Sequence, residues 1–250
     1  MSTAKLETVE DYLYQAAKAK LKGQLDKATT LYVEATQLAP DHQDAYQQLG
    51  ALYFDQKKLE LAAQSYLKLA SLRPNLPLVH FRLGRIAQMQ KRFPDAISSY
   101  EYAIGLDAND FNVYQFLAEV QLAEGAFAAA KANYEKAIEL GSEAPWVHFK
   151  LSKIARQNGR IAAAITHVSD AIALNPKNPN FHLAAGELHR QQTQFDLAAA
   201  ACEKAIELAP KDFRAYQSLG EVEFVQNHLT AAAENYKRAV KFGSKTPGVY

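Results

Sequence analysis

The sequence predicts an all-α protein built of repeated antiparallel helix pairs, and three observations carry that prediction. Alanine recurs every 34 residues, at Ala28, Ala62, Ala96, Ala130, Ala164, Ala198 and Ala232. Small, apolar or aromatic residues stand four and seven places after each of these alanines, the i, i+4, i+7 spacing of one helix face. Prolines punctuate the pattern where helices stop and start. A 250-residue chain would ordinarily suggest one or two globular domains, but a fixed period of this length signals a repeat array.

The first helix of each unit is marked by an aromatic column: Tyr12, Tyr46, His80, Tyr114, His148, His182 and Tyr216. Three places on comes Gln15, then Leu49, Leu83, Leu117, Leu151, Ala185 and Leu219 in the later units. The next position is always small: Ala16, Gly50, Gly84, Ala118, Ser152, Gly186 and Gly220. A glycine inside a helix costs about 1 kcal/mol against alanine, so its recurrence there predicts a close backbone approach. Turn formers follow at Gly23, Gly125, Gly159 and Asn227, each with an apolar residue two places later, such as Leu25, Phe127, Ile161 and Leu229. The second helix carries the alanine column, then Tyr32, Tyr66, Tyr100, Tyr134, Val168, Cys202 and Tyr236. Its face closes on Ala35, Leu69, Ala103, Ala137, Ala171, Ala205 and Ala239. Pro40, Pro74, Pro176 and Pro210 stop it, because proline cannot continue a hydrogen-bonded helix. Pro77, Pro145, Pro179 and Pro247 open the next first helix, where the missing N–H is harmless.

Two helices in 34 residues, with a Tyr–Leu–Gly…Ala–Tyr–Ala…Pro pattern, resemble the tetratricopeptide repeat (TPR) family. The resemblance covers seven units, 9–42, 43–76, 77–110, 111–144, 145–178, 179–212 and 213–246, behind a lead-in at 1–8. It implies a right-handed superhelical solenoid in which first helices line a concave groove and second helices lie on the convex side. The closing word "TPGVY" matches the start of an eighth unit at 247–250, so the chain is expected to be a fragment or a domain with an imperfect boundary. Self-association through that C-terminal edge is the corresponding expectation, since solenoid ends ordinarily need a polar cap.

Composition narrows the function. With 28 basic and 27 acidic residues the net charge is +1, too small a field to gather nucleic acid or an anionic membrane surface. One cysteine excludes an internal disulfide framework and a cysteine-rich metal site. No basic stretch leads into an apolar run at the N-terminus, and no segment approaches the ~20 apolar residues of a membrane span. A soluble cytoplasmic protein is expected.

Catalytic patterns are missing. His80, His148 and His182 occupy the aromatic column, so packing explains them. Equivalent points on successive units lie roughly 10 Å apart, whereas zinc ligands converge to ~2 Å from one ion. Cys202 takes a tyrosine's packing place. Glu119, Glu187 and Glu221 recur along one column but on different units, too far apart for paired acid–base work. There is no phosphate-binding glycine loop and no nucleophile elbow. The expectation is no enzyme, no cofactor and no metal.

The groove side of the first helices carries the candidate site. The third unit offers Phe81, Arg82 and Arg85, and the fifth repeats the word as Phe149, Lys150, Lys153 and Arg156. Gln115, Phe116 and Glu119 stand between them, and Gln47 and Gln48 precede them. Cations beside aromatic rings suit an extended peptide with acidic and apolar side chains. The competing reading is a two-unit duplication that copied surface residues without selection for binding. The Lys–Asn–Asn–Lys–Arg set of chaperone-tail-binding members of the family is not reproduced: the corresponding residues are Leu13, Ala17, Gln48, Leu78 and Arg82. Nor does the asparagine ladder of O-linked N-acetylglucosamine transferase appear, that column reading Tyr14, Gln48, Arg82, Phe116, Lys150, Ala184 and Ser218. The expected function is a scaffold that binds a peptide or helix of a partner protein. The alternative is the N-terminal region of a larger glycosyltransferase- or sulfotransferase-like enzyme.

Overall fold

The structure, a computed structural model, describes residues 8–106 and 109–244. Residues 247–250, the expected eighth unit, and all of the lead-in except Thr8 lie outside the described residues. Among the described residues the chain forms fourteen α-helices and no strand. They fall into two compact units, Met1–Leu140 and Gly141–Tyr250. The first holds α1 (Val9–Leu21), α2 (Leu25–Leu38), α3 (Gln43–Asp55), α4 (Leu59–Leu72), α5 (Pro77–Met89), α6 (Phe93–Gly105), α7 (Phe111–Ala123) and α8 (Phe127–Glu139). The second holds α9 (Pro145–Gln157), α10 (Ile161–Leu174), α11 (Pro179–Gln191), α12 (Phe195–Leu208), α13 (Phe213–Val225) and α14 (Leu229–Lys241). Within each unit every helix packs on its neighbours in sequence; α5 also touches α7, and α11 touches α13. None of these helices is long and apolar enough to cross a membrane.

The alanine column is the seam of each helix pair. Ala28, Ala62, Ala96, Ala130, Ala164 and Ala198 are completely buried, and Ala232 is nearly so. Beside them Tyr32, Tyr66, Tyr100 and Tyr134 are also buried, four of the largest side chains to disappear from solvent. The small column explains how the rings fit. A Cβ added at Gly84 would lie 2.6 Å from the Tyr100 ring, and one at Gly186 would lie 2.7 Å from Cys202 Sγ. In the fifth repeat Ser152 takes this place, and its hydroxyl donates to the Ala164 carbonyl at 2.8 Å.

Local chemistry sets the helix ends. Thr8 and Asp11 form a reciprocal capping box on α1, and Asp110, Asn178 and Asp212 cap α7, α11 and α13 through their side chains. Pro77, Pro145 and Pro179 sit in the first turns of α5, α9 and α11. The turn inside every helix pair passes through left-handed backbone at one position: Gly23, Lys57, Lys91, Gly125, Gly159, Thr193 and Asn227. Lys57, Lys91 and Thr193 carry no sequence signal for this conformation; the stacking of the two helices imposes it.

The aromatic column ties consecutive helix pairs together. His80 Nε2 lies 2.7 Å from the Pro74 carbonyl, His182 Nε2 lies 2.8 Å from that of Pro176, and the Tyr216 hydroxyl donates to that of Pro210 at 3.1 Å. Because a carbonyl oxygen only accepts, Nε2 carries the proton in both histidines.

Candidate interaction surface

In the first unit the site is built from α3, α5 and α7. Phe81, Arg85 and Gln88 are spaced i, i+4, i+7 and share one face of α5. The Arg85 guanidinium lies 3.7 Å from the centre of the Phe116 ring and 5.9 Å from that of Phe54. Arg82 lies 5.9 Å from Phe54 and 6.0 Å from Phe81, and the Phe81 and Phe116 rings are 5.7 Å apart. Gln88 donates to the Glu119 carboxylate at 3.3 Å and accepts from the Tyr100 hydroxyl at 2.7 Å, which fixes the position of Glu119. Burial lowers the pKa of Arg85, which remains a cation. Neither Arg82 nor Arg85 forms an ion pair with a described carboxylate. Stacked, half-buried guanidinium groups outside any carboxylate ion pair keep their donors available to an anionic ligand.

The second unit contains a separate cluster around a concavity of about 530 Å³. Phe149, Lys153 and Arg156 from α9 line it, together with Trp146, Phe181 and Arg214. The Phe149 and Phe181 rings are 5.0 Å apart, and Lys153 Nζ stands 4.5 Å from the centre of Phe149. Burial, then the nearby cations Lys150 and Arg156, lower the pKa of Lys153. Arg156 is engaged by Glu187 at 2.9 Å, and Arg214 is held by Asp212 at 2.6 Å and Asn180 at 2.9 Å.

The sequence-predicted residues thus divide between two clusters. Phe81, Arg82, Arg85, Phe116 and Glu119 come together in the first unit; Phe149, Lys153 and Arg156 do so in the second. Lys150 is half-buried beside the second cluster but does not line the concavity, and Gln47 and Gln48 are half-buried on α3. Gln115 is only 4% exposed and belongs to the packing rather than to an open surface. Sequence reasoning missed Phe181 and Arg214. Phe181 occupies a buried column where Val79, Val113 and Val147 stand in other repeats, and its size was the available signal. Cys202 is buried, and its thiol is pushed up to about 12, chiefly by desolvation and then by Glu187, which leaves it protonated and unreactive near neutrality.

Three family profiles described as Tetratricopeptide repeat match residues 43–76, 121–188 and 183–247. The chain belongs to the tetratricopeptide repeat family, an all-α array of about seven helix pairs. No curated protein matches it in sequence. Among solved structures, the C-terminal part of a TPR protein from Cytophaga hutchinsonii superposes with a TM-score of 0.79 at 18% identity, covering 95% of this chain and 97% of that one. PilF of Pseudomonas aeruginosa gives 0.70 at 20% identity, covering 85% and 97%. YrrB, described as a TPR protein with an unusual peptide-binding site, gives 0.69 at 16% identity, covering 75% and 96%. At these identities the likeness establishes the fold. The fold is generally that of a non-enzymatic interaction scaffold.

Proposed function

We propose that the chain is a protein-interaction scaffold that binds an acidic, apolar peptide or helix of a partner protein, and that it acts by binding rather than catalysis. The observation that carries this reading is Arg85, stacked on Phe116 at 3.7 Å and in no ion pair with a described carboxylate, although Glu119 acts on it electrostatically. Phe81 and Phe116 offer the apolar contact beside it, and Arg82 widens the positive surface. Phe149, Lys150, Lys153 and Arg156 give the second unit a related set. A solved protein of the same fold has a peptide-binding site, which makes peptide the natural ligand class. The proposal places the protein in the cytoplasm, whose reducing conditions suit one free buried thiol.

The test is fluorescence-polarisation binding of a library of labelled acidic–aromatic peptides. Replacing Arg82 and Arg85 by Glu is expected to weaken the selected peptide more than tenfold and flatten its salt dependence, with a separate loss for Lys150 and Lys153 replaced by Glu. Unchanged affinity in both double variants would move the site off these helices.

Self-association is a second, smaller proposal. Leu229 is 56% exposed and Tyr236 only half-buried, whereas Tyr100 and Tyr134 are fully buried. Sedimentation velocity should then show concentration-dependent association that Leu229→Lys reduces.

A further inference from the structure

We propose that His148, His167 and Asp170 form a binding site for a divalent transition metal of the zinc type. The three come from one antiparallel helix pair: His148 from α9, and His167 and Asp170, three residues apart on one face, from α10. Their ligating atoms all lie within 4.8 Å of one another. His148 Nδ1 is buried and points at Asp170 Oδ2, 3.4 Å away, without forming a hydrogen bond. Bonds of ~2.0–2.2 Å in a tetrahedral site put ligand atoms about 3.4 Å apart, so that pair already stands at the required spacing. The two imidazole rings are tilted by 49° with centroids 6.3 Å apart, so they meet at an angle and are not stacked face to face. Asp170 is about half exposed and His148 is mostly covered, so an ion enters from the carboxylate side and keeps a fourth position for water.

Repeat packing places His148 in the aromatic column but does not require His167 or Asp170. The aromatic-column histidines His80 and His182 spend Nε2 on the carbonyl of a proline six residues earlier. His148, in the same column, turns Nδ1 toward Asp170. The position of Asp170 is Lys68, Lys136 and Lys204 in three other repeats, so a carboxylate is no requirement of the helix pair there. Glu34 supplies the other acid in that column, but Leu31 stands where His167 would be needed. Two imidazoles and one carboxylate select zinc and its first-row neighbours over calcium or magnesium, which take oxygen ligands. Bound metal would clip α9 to α10 and stabilise the second unit, because an ion that binds only the folded state shifts the folding equilibrium.

The experiment is calorimetric titration of the untagged chain with zinc, with magnesium as control, together with cobalt absorption spectroscopy and thermal melts. One zinc per chain with micromolar or tighter affinity, a tetrahedral cobalt ligand-field band and a raised Tm are expected. His148→Tyr and His167→Asn install residues that other repeats carry at these positions, and Asp170→Asn is isosteric and half exposed; circular dichroism checks that each variant folds. Each should weaken zinc binding by more than ~10-fold, while His182→Tyr leaves it unchanged. Absence of zinc binding by the wild type overturns the proposal, as does binding that survives all three variants or falls equally in His182→Tyr.

Discussion

Thr193 is an exposed, β-branched residue held at φ 58°, in the left-handed region that such side chains avoid. Gly23, Gly125 and Gly159 fill the same turn position without strain. The left-handed penalty of ~1–2 kcal/mol outweighs the ~0.5–1 kcal/mol of extra chain entropy that glycine loses on folding. Thr193→Gly is therefore expected to stabilise the chain by about 0.5–1 kcal/mol, read as a rise in the urea midpoint. A fall in the midpoint would mean that the threonine makes a contact worth more than the strain.

Two glycines separate propensity from packing within single helices. Alanine gains up to about 1 kcal/mol over glycine from helix propensity alone. At Gly105, the last residue of α6, an added Cβ meets nothing within 4 Å, so Gly105→Ala should be neutral to stabilising. At Gly84 the same methyl would lie 2.6 Å from the fully buried Tyr100 ring, and overpacking of that kind typically costs ~1–3 kcal/mol. Gly84→Ala should thus lower the melting temperature while Gly105→Ala does not. Equal responses from the two would show that the ring moves aside freely and that the small column is not a packing constraint.

Across the molecule, buried tyrosines make stability depend on pH at the alkaline end. Desolvation raises Tyr66 from 10.0 to about 12 and pushes Tyr100 and Tyr134 higher still, while Cys202 rises from 9.0 to about 12. The folded state therefore holds protons that the unfolded chain gives up. Their contribution is fully present below the unfolded values, near pH 9 for the thiol and pH 10 for the phenols, and is lost as pH rises through the folded ones. Denaturant midpoints should be flat with respect to these groups below pH 9 and fall steeply between about pH 10 and 12. Tyr100→Phe should reduce the slope, and an unchanged slope would assign the alkaline loss to other groups.

The helix pairs were legible in the sequence because their causes are local. The alanine and tyrosine columns and the prolines at first turns act over a few positions, and a 34-residue period repeats the columns. The candidate surface was half legible: periodicity places Phe81, Arg82 and Arg85 on one helix, but tertiary packing set Arg85 on Phe116 and took Gln115 out of solvent. The left-handed turns at Lys57, Lys91 and Thr193 belong to the same category, since nothing in those side chains favours the conformation that two stacked helices demand. So does the meeting of His148, which the aromatic column explains as packing, with His167 and Asp170. Side chains some 20 to 30 positions apart meet only when helix separation and rotation are set, and those are decided by how rings and methyl groups fill the space between helices.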